Sequence, residues 1–504
     1  MAMLYTRITV HNKKWKQKMM DKNTMGGVRL SPRLTMLDRR ALEEIHDRSC
    51  RILETTGVRM PHGQVADRLA EAGAKVDRDG QRVHLPRRLV DESLAGTART
   101  YELFSQDGQP AARFGVGSRN YNSIAGEAHW LENGIRRPAR LDDVVAGVHM
   151  ANRLEWINIA GSMADPQDIP AKVRCVHVAA TMLKYSRKPI TFWYYDGPSA
   201  GYVNELLIAA AGGEDAARNE RRTYAFLEPI SPLSFPRDGL DVIYQTRRLN
   251  LPVSIGPMAQ AGVSAPVTLA GTVVQENAEV LAAICAVQAI QPGAAICYGG
   301  IPHAFDMATT QMIFAGPEQA LMAIAMTELA RFYGLPVYVN VGLTDSKVPD
   351  AQAGMEIAAT LMAGMLAGAD IFGHLGICGV DQASSFDMLI LQNEIIGYLE
   401  HVVGGIEVSE DAFAVELIER VGPGGSFLAE DHTAERFRTQ LHFPRLLDRH
   451  FFDNWRRQGG SSMAERIAEE KTELLRRPCE PVVDAATAAE LDRIVLSAQK
   501  HLLK

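Results

Sequence analysis

The chain has 504 residues, 46% of them apolar and 22% charged, with a formal net charge of −7. That composition suits a folded domain large enough to bury a core without disulfide or metal staples, and it excludes disordered, collagen-like and disulfide-scaffold proteins. The acidic balance excludes a general polyanion binder, so no nucleic-acid partner is expected.

Residues 1–31 are expected to be a disordered basic leader. The lysines and arginines from Arg7 to Lys22 are followed by no apolar run, so the segment is not a secretory signal. A start at Met25 and a nucleic-acid arm are the alternatives. Residues 32–115 read as a small mixed α/β extension. Leu37 to Thr56 forms a helix, with Asp38 near its start and Gly57 just past its end. A second helix runs from Gly63 to Gly73, and RVHLP from Arg82 is a short strand.

Residues 116–404 carry a repeated rhythm of short β-rich runs, each followed by a helical stretch. Strands are expected at RNYNSIAG (from Arg119), WINIAGSM (Trp156), PITFWYY (Pro189) and TYAFLEP (Thr223). Four more follow at PVSIGPM (Pro252), AAICYGG (Ala294), PVYVNVG (Pro336) and ADIFGHLG (Ala369). Near-continuous apolar runs of this kind suit strands buried on both faces of a parallel sheet. Helices are expected at Leu141–Leu154, Ala171–Tyr185, Pro266–Ile290, Glu318–Phe332, Ala353–Ala367 and Phe386–Glu400. Pro266 would occupy the first turn of its helix, with Ser264 as cap. Eight β-then-α units predict an α/β fold of the (β/α)8 TIM-barrel type. A doubly wound open sheet is the alternative, but its G-x-G-x-x-G turn is missing. Residues 405–504 form a charged, helical C-terminal region.

The longest apolar stretch, Ile357 to Ala369, is shorter than the roughly 20 residues of a spanning helix, so no membrane partner is expected. The six cysteines are scattered, which predicts reduced thiols in a cytoplasm and no metal site.

In a βα barrel, chemistry sits at the C-terminal ends of the strands. The residues there are Trp193, Tyr194, Tyr195 and Asp196; Phe226 and Glu228; Met258 and Gln260; Tyr298, His303 and Asp306; Leu343, Thr344, Asp345 and Lys347; and His374. No G-x-S-x-G elbow, H-E-x-x-H zinc motif or P-loop occurs. Aromatic faces beside carboxylates are what a quaternary ammonium cation requires. Each candidate also has a plain structural reading. Trp193 and Tyr194 alternate along one strand, so one of them faces helix packing. Glu228, Asp345 and Asp350 would cap loops or helices, and His303 and His374 would be satisfied internally. Cys297, Cys378, Met355, Met362 and Met365 would be core.

Several stretches resemble the trimethylamine methyltransferase family: SAPVTLAGTVVQENAEVLA (from Ser264), TDSKVPDAQAGMEIAATLMAGMLAGADIF (Thr344), QNEIIG (Gln392), VGPGGSFLAEDHT (Val421) and DRHFFDNW (Asp448). They occur in order, and the resemblance spans roughly residues 34–476. It implies a barrel enzyme that passes a methyl group from a methylated amine to the Co(I) of a corrinoid (cobalamin). That corrinoid rides on a separate partner protein, and no cofactor is bound permanently to this chain. Trimethylamine-using members carry pyrrolysine just before the T/S-D-x-K-x-P-D stretch; the matching residue here is Leu343. The chain therefore resembles the pyrrolysine-lacking glycine betaine methyltransferases. The resemblance also implies a homo-oligomer.

On this reading Trp193, Tyr194, Phe226 and Tyr298 supply ring faces for the ammonium group, and Glu228 or Asp345 balances its charge. Thr344, His303 and His374 orient the other end or line the entry for the corrinoid, with Leu343 lining the site. None acts as a covalent nucleophile. The alternatives are a tertiary-amine methyltransferase without pyrrolysine, a non-catalytic betaine-binding descendant and, more distantly, a metal-dependent hydrolase.

Overall fold

A computed structural model describes residues 28–504 apart from Asn133. The greater part of the basic leader, residues 1–27, lies outside the described residues.

Eight short parallel strands form the centre: β1 Asn120–Ser123, β2 Ala160–Gly161, β3 Ile190–Thr191, β4 Ala225–Leu227, β5 Val253–Ile255, β6 Ile296–Gly300, β7 Val337–Val339 and β8 Ile371–Leu375. Strands β4, β5, β6, β7, β8 and β1 pair in that order, all parallel, and β2 pairs with β3. A bridge between Asn122 and Ile159 joins β1 to β2. The Ile190 amide donates to the Arg222 carbonyl at 2.8 Å beside β4, which closes the cylinder. Closure pairs every edge and explains why strands of two to five residues suffice.

A helix follows each strand: α1 Leu141–Arg153, α2 Ala171–Tyr185, α3 Gly197–Ala211, α4 Arg237–Thr246, α5 Leu269–Ile290, α6 Pro317–Tyr333, α7 Ala351–Ala367 and α8 Phe386–Val403. The fold is a (β/α)8 barrel. Helix α5 starts later than its sequence suggests, at Leu269 with Thr268 as N-cap. Ser264 and Pro266 are used elsewhere. The Ser264 hydroxyl accepts the Gln260 amide at 2.9 Å, and the Pro266 carbonyl accepts the Thr272 hydroxyl at 2.7 Å, so this stretch is a turn docked on the helix.

By length and composition α5 is the one described helix able to cross a membrane, although Glu276 and Glu279 interrupt its apolar sequence; 83% of that window is buried within the fold. It packs against the helices Arg39–Thr55, Gly63–Glu71 and Arg87–Ala95. It is a core helix. All six cysteines are free.

The N-terminal extension begins where Asp38 caps the helix Arg39–Thr55, accepting the Ala41 amide at 2.8 Å. Its hairpin, Tyr101–Phe104 paired with Pro110–Phe114, has a direct bearing on the site. Tyr101 stacks on Phe114 at 4.2 Å. Together they share one core with Ile159, Tyr224, Cys297, Tyr338 and Ile371 inside the barrel. The barrel interior is thus plugged by this hairpin, and the mouth is left to the strand C-termini.

Residues 33–399 and 444–504 form one compact unit. The boundary expected at 115 is therefore not a domain boundary, because the hairpin completes the barrel core. The boundary expected near 404 is also not single. Among the described residues, 28–32 and 400–443 form a second unit, in which Val28–Leu30 pairs antiparallel with Ile406–Val408. Its helices Glu410–Phe413, Val415–Val421 and Asp431–Gln440 contain no buried residue. The chain returns to the first unit with the helices Met463–Leu475 and Ala485–Leu502, the latter against α2 and α3.

Candidate active site

Alternation along the strands decides which side chains reach the mouth. On β3, Thr191 faces inward and bonds the Tyr224 hydroxyl at 3.1 Å, so Trp193, two residues on, also faces inward. Tyr194 faces outward. Its ring tilts against Phe192 at 4.8 Å, and its hydroxyl lies near Thr223 and the Cys175 thiol of α2. Tyr194 is therefore no part of the mouth.

Four rings close on one another there. Trp193 meets Phe226 at 5.9 Å and 80°, Phe226 meets Tyr338 at 5.6 Å and 67°, Tyr338 meets His374 at 5.8 Å and 68°, and His374 meets Trp193 at 5.5 Å and 70°. Every contact is edge-to-face, the arrangement favoured by ring quadrupoles. Two glycines make room. A Cβ on Gly256 would lie 2.5 Å from Phe226 Cζ, and one on Gly373 would lie 1.7 Å from the Tyr338 hydroxyl.

His374 sits on a register irregularity of β8, with φ of +64°. Its Nδ1 lies 3.2 Å from Asn340 Nδ2, a donor, so the neutral ring carries its proton on Nε2. Burial, with a smaller contribution from His303, lowers its pKa to about 3. His303 stands behind the mouth. It stacks on Phe314 at 4.6 Å, bonds Gln319 Nε2 through Nδ1 at 3.1 Å, and is lowered to about 4 by burial. Both rings are neutral near pH 7 and bring no positive charge. Gln319 also donates to the Asn340 carbonyl at 2.6 Å, tying the two histidines into one network. Asn340 is 1% exposed and its Oδ1 has no hydrogen-bond partner. Two residues beyond Tyr338 on the same face, it looks into the mouth.

Carboxyl groups rise above the rings. Glu228, two residues past Phe226, remains open to solvent on the mouth side. The protein enclosing it removes enough water to push its pKa up to about 7, with Asp381 adding to the rise. Glu127, just past β1, and Asp381, in the loop after β8, lie close enough to act on each other electrostatically. Burial raises both, and the Asp381 charge adds to the rise at Glu127. Asp165 is already committed: it accepts from the Tyr195 hydroxyl and from Arg174 Nη1 at 2.8 Å.

The other sequence candidates are engaged in contacts within the fold. Tyr298 points away from the barrel axis, its hydroxyl donating to Asn277 of α5 at 2.7 Å, with its ring tilted toward Tyr333 of α6. Leu343 is fully buried. The Thr344 hydroxyl and Asp345 amide both bond Glu356 of α7, at 2.7 and 2.9 Å. Asp345 accepts the Phe314 amide at 2.9 Å, so it ties the β6 and β7 loops together. Asp350 caps α7, accepting the Ala353 amide at 3.0 Å. Lys347 donates to the Asp345 carbonyl at 2.8 Å. Met355, expected in the core, is exposed.

Sequence reasoning brought Trp193, Phe226, Glu228 and His374 to the mouth and missed Tyr338, Asn340, Glu127 and Asp381. Glu127 was within reach of the strand-end rule, since it follows Gly126. Among the described residues no group of three or more His, Cys, Asp or Glu side chains is placed to hold a metal ion.

The sequence profile of the trimethylamine methyltransferase family matches residues 7–502. The chain belongs to this family. A family member from Desulfitobacterium hafniense strain Y51, a glycine betaine methyltransferase, is 30% identical over 94% of this chain and 99% of its own. A trimethylamine methyltransferase of D. hafniense DCB-2 is also 30% identical, over 90% of this chain and 92% of its own. The trimethylamine methyltransferase of Methanosarcina barkeri is 29% identical over 95% and 97%. Among solved structures, the M. barkeri monomethylamine methyltransferase aligns with 97% of this chain and 91% of its own, at 10% identity and a TM-score of 0.48.

Proposed function

We propose that the protein takes a methyl group from a quaternary ammonium compound, a betaine in the first instance, and passes it to the Co(I) of a corrinoid carried by a separate protein. The observation that carries this reading is the closed set of four rings lying beneath carboxyl groups in one mouth. Ring faces attract a cation electrostatically, more strongly as water is excluded. The relative named for glycine betaine supports the same substrate class. Leu343, the residue matching pyrrolysine by resemblance, is apolar and fully buried, so it offers no group to hold a neutral amine.

A bound corrinoid supplies Co(I), a strong nucleophile for displacement at a methyl carbon. The chain's own residues bind and orient. The rings and carboxylates hold the ammonium group, and the Nε2–H of His374 is the donor on offer to a betaine carboxylate. No side chain needs to form a covalent bond. A corrinoid protein needs a surface around the mouth. Ile230, Val263, Val267, Met307, Val348 and Met355, from the loops after β4 to β7 and the start of α7, are exposed apolar residues at the strand C-terminal end and fit that requirement. Isolated exposed apolar residues need no explanation, but a group of them at one end marks a contact surface.

Calorimetric titration with glycine betaine, carnitine, proline betaine, choline and trimethylamine tests the reading. A response to a betaine and none to trimethylamine is expected. Trimethylamine binding alone would replace the quaternary substrate with a tertiary one. Betaine binding without methyl transfer to any corrinoid protein would favour a non-catalytic descendant.

A further inference from the structure

The polar side chain of Asn340 is out of place as a packing residue. It is 1% exposed, its Oδ1 has no hydrogen-bond partner, and its side chain makes one hydrogen bond, from Nδ2 to His374 Nδ1 at 3.2 Å. Leucine has nearly the same shape and would leave no unpaired oxygen to desolvate. Packing therefore gives no reason for an amide here, and the bond to His374 does. The backbone of Asn340 is fixed from behind. Gln319 Nε2, on α6, donates to the Asn340 carbonyl at 2.6 Å and to His303 Nδ1 at 3.1 Å. Both protons of that amide are committed, which sets its orientation.

His374 carries a backbone cost of its own. Its φ is +64°, a left-handed value that residues other than glycine rarely take, at a register irregularity of β8. Its ring stands edge-to-face against Trp193 and Tyr338. Nδ1 faces Asn340. Nε2, at the other end of the ring, has no partner among the described residues and is not sealed off as the Asn340 oxygen is.

We propose that Asn340 is the residue that selects the ligand's tail: its amide holds His374 as an Nε2–H donor, so the pocket prefers a quaternary ammonium compound that carries a carboxylate. The inference rests on the substrate class proposed above and adds the residue that controls selection within it. Neutral imidazole bears one proton. A donor at Nδ1 engages the lone pair there, and the proton sits on Nε2. A carboxylate accepts from that N–H strongly because it is charged, whereas a tail without an acceptor leaves the N–H desolvated and unpaired. Selection by an enclosed polar group is sharper than selection by apolar fit. Without the amide the proton is free to move to Nδ1, and Nε2 then presents a lone pair, which repels a carboxylate. Asn340 touches no ligand in this scheme; it acts through His374.

The test compares glycine betaine with tetramethylammonium, which keeps the trimethylammonium head and has a methyl in place of the tail. Both are titrated calorimetrically into wild type and Asn340→Leu. The expected result is a loss of betaine affinity of about tenfold to a hundredfold, with tetramethylammonium affinity unchanged. A purely structural role would weaken both alike. That result, or no loss at all, overturns the inference and leaves the substrate reading intact. Binding of no ammonium compound by wild type overturns both. Heteronuclear NMR of histidine-labelled wild type, with the His374 signals assigned by their absence from His374→Gln, reads the tautomer directly. A proton on Nε2 that responds to betaine is expected, and a proton on Nδ1 overturns the inference. This measurement decides alone should Asn340→Leu not fold, as circular dichroism would show.

Discussion

Trp193 and Gly126 are joined across the mouth of the barrel: the indole Nε1 donates to the Gly126 carbonyl at 2.8 Å, and the next residue is Glu127. One hydrogen bond therefore couples the ring set to the acid pair.

Trp193→Phe keeps a ring but removes that bond and the better cation–π face. Together these are worth about 1–3 kcal/mol. Calorimetry should show betaine affinity weakened about tenfold to a hundredfold. Tyr298→Phe, by contrast, loses only the bond to Asn277. It should cost about 1 kcal/mol of stability and leave ligand affinity unchanged.

Gly373→Ala places a methyl where the Tyr338 hydroxyl now lies. Overpacking of this kind costs about 1–3 kcal/mol, and the displaced ring should lower ligand affinity as well. Adding Tyr338→Phe should recover part of both losses. A double-mutant cycle followed by thermal unfolding and by titration checks the coupling.

Glu228 titrates near neutrality because the surrounding protein takes water from it, which holds its pKa up to about 7. Its negative charge is present above that value and lost below, so affinity for a cation should fall as pH drops from about 8 to 6. Glu228→Gln should make this fall shallower. Dissociation constants of wild type and variant measured across that range check this.

Glu279 of α5 accepts from the Ser231 hydroxyl at 2.6 Å, the Leu233 amide at 2.8 Å and Gln275 Nε2 at 3.0 Å. It holds the loop after β4 against α5. Glu279→Ala leaves these buried donors unpaired at about 1–3 kcal/mol, and urea unfolding should show the loss. Glu279→Gln should restore much of it.

Met307→Glu places a charge within the exposed apolar group at the barrel mouth. The KM for the corrinoid protein should rise about tenfold or more, with betaine affinity unchanged. Steady-state assays at varied corrinoid-protein concentration separate the two.

The eight strand positions and most helices were legible because each strand is an apolar run between turn residues, and that pattern is local. Helix α5 was legible as a helix but not to its first residue. Ser264 and Pro266 look like a cap and a first turn in sequence, yet their polar groups are consumed by Gln260 and Thr272. The site was legible in part. The strand-end rule selects positions but leaves open which way a ring points. Tyr298 illustrates this: an aromatic at a strand end, it faces Asn277 in the helix layer.

By itself the sequence determined the barrel class, the family and the placement of candidates near the strand C-termini, because period and motif order are properties of the chain alone. Tertiary structure decided the rest. Tyr338 and His374 join Trp193 and Phe226 only once β7 and β8 close beside β1. Glu127 and Asp381 meet only because the first and last strands of a closed barrel are neighbours. Ring closure sets contacts between residues far apart in the chain, and no local pattern encodes it.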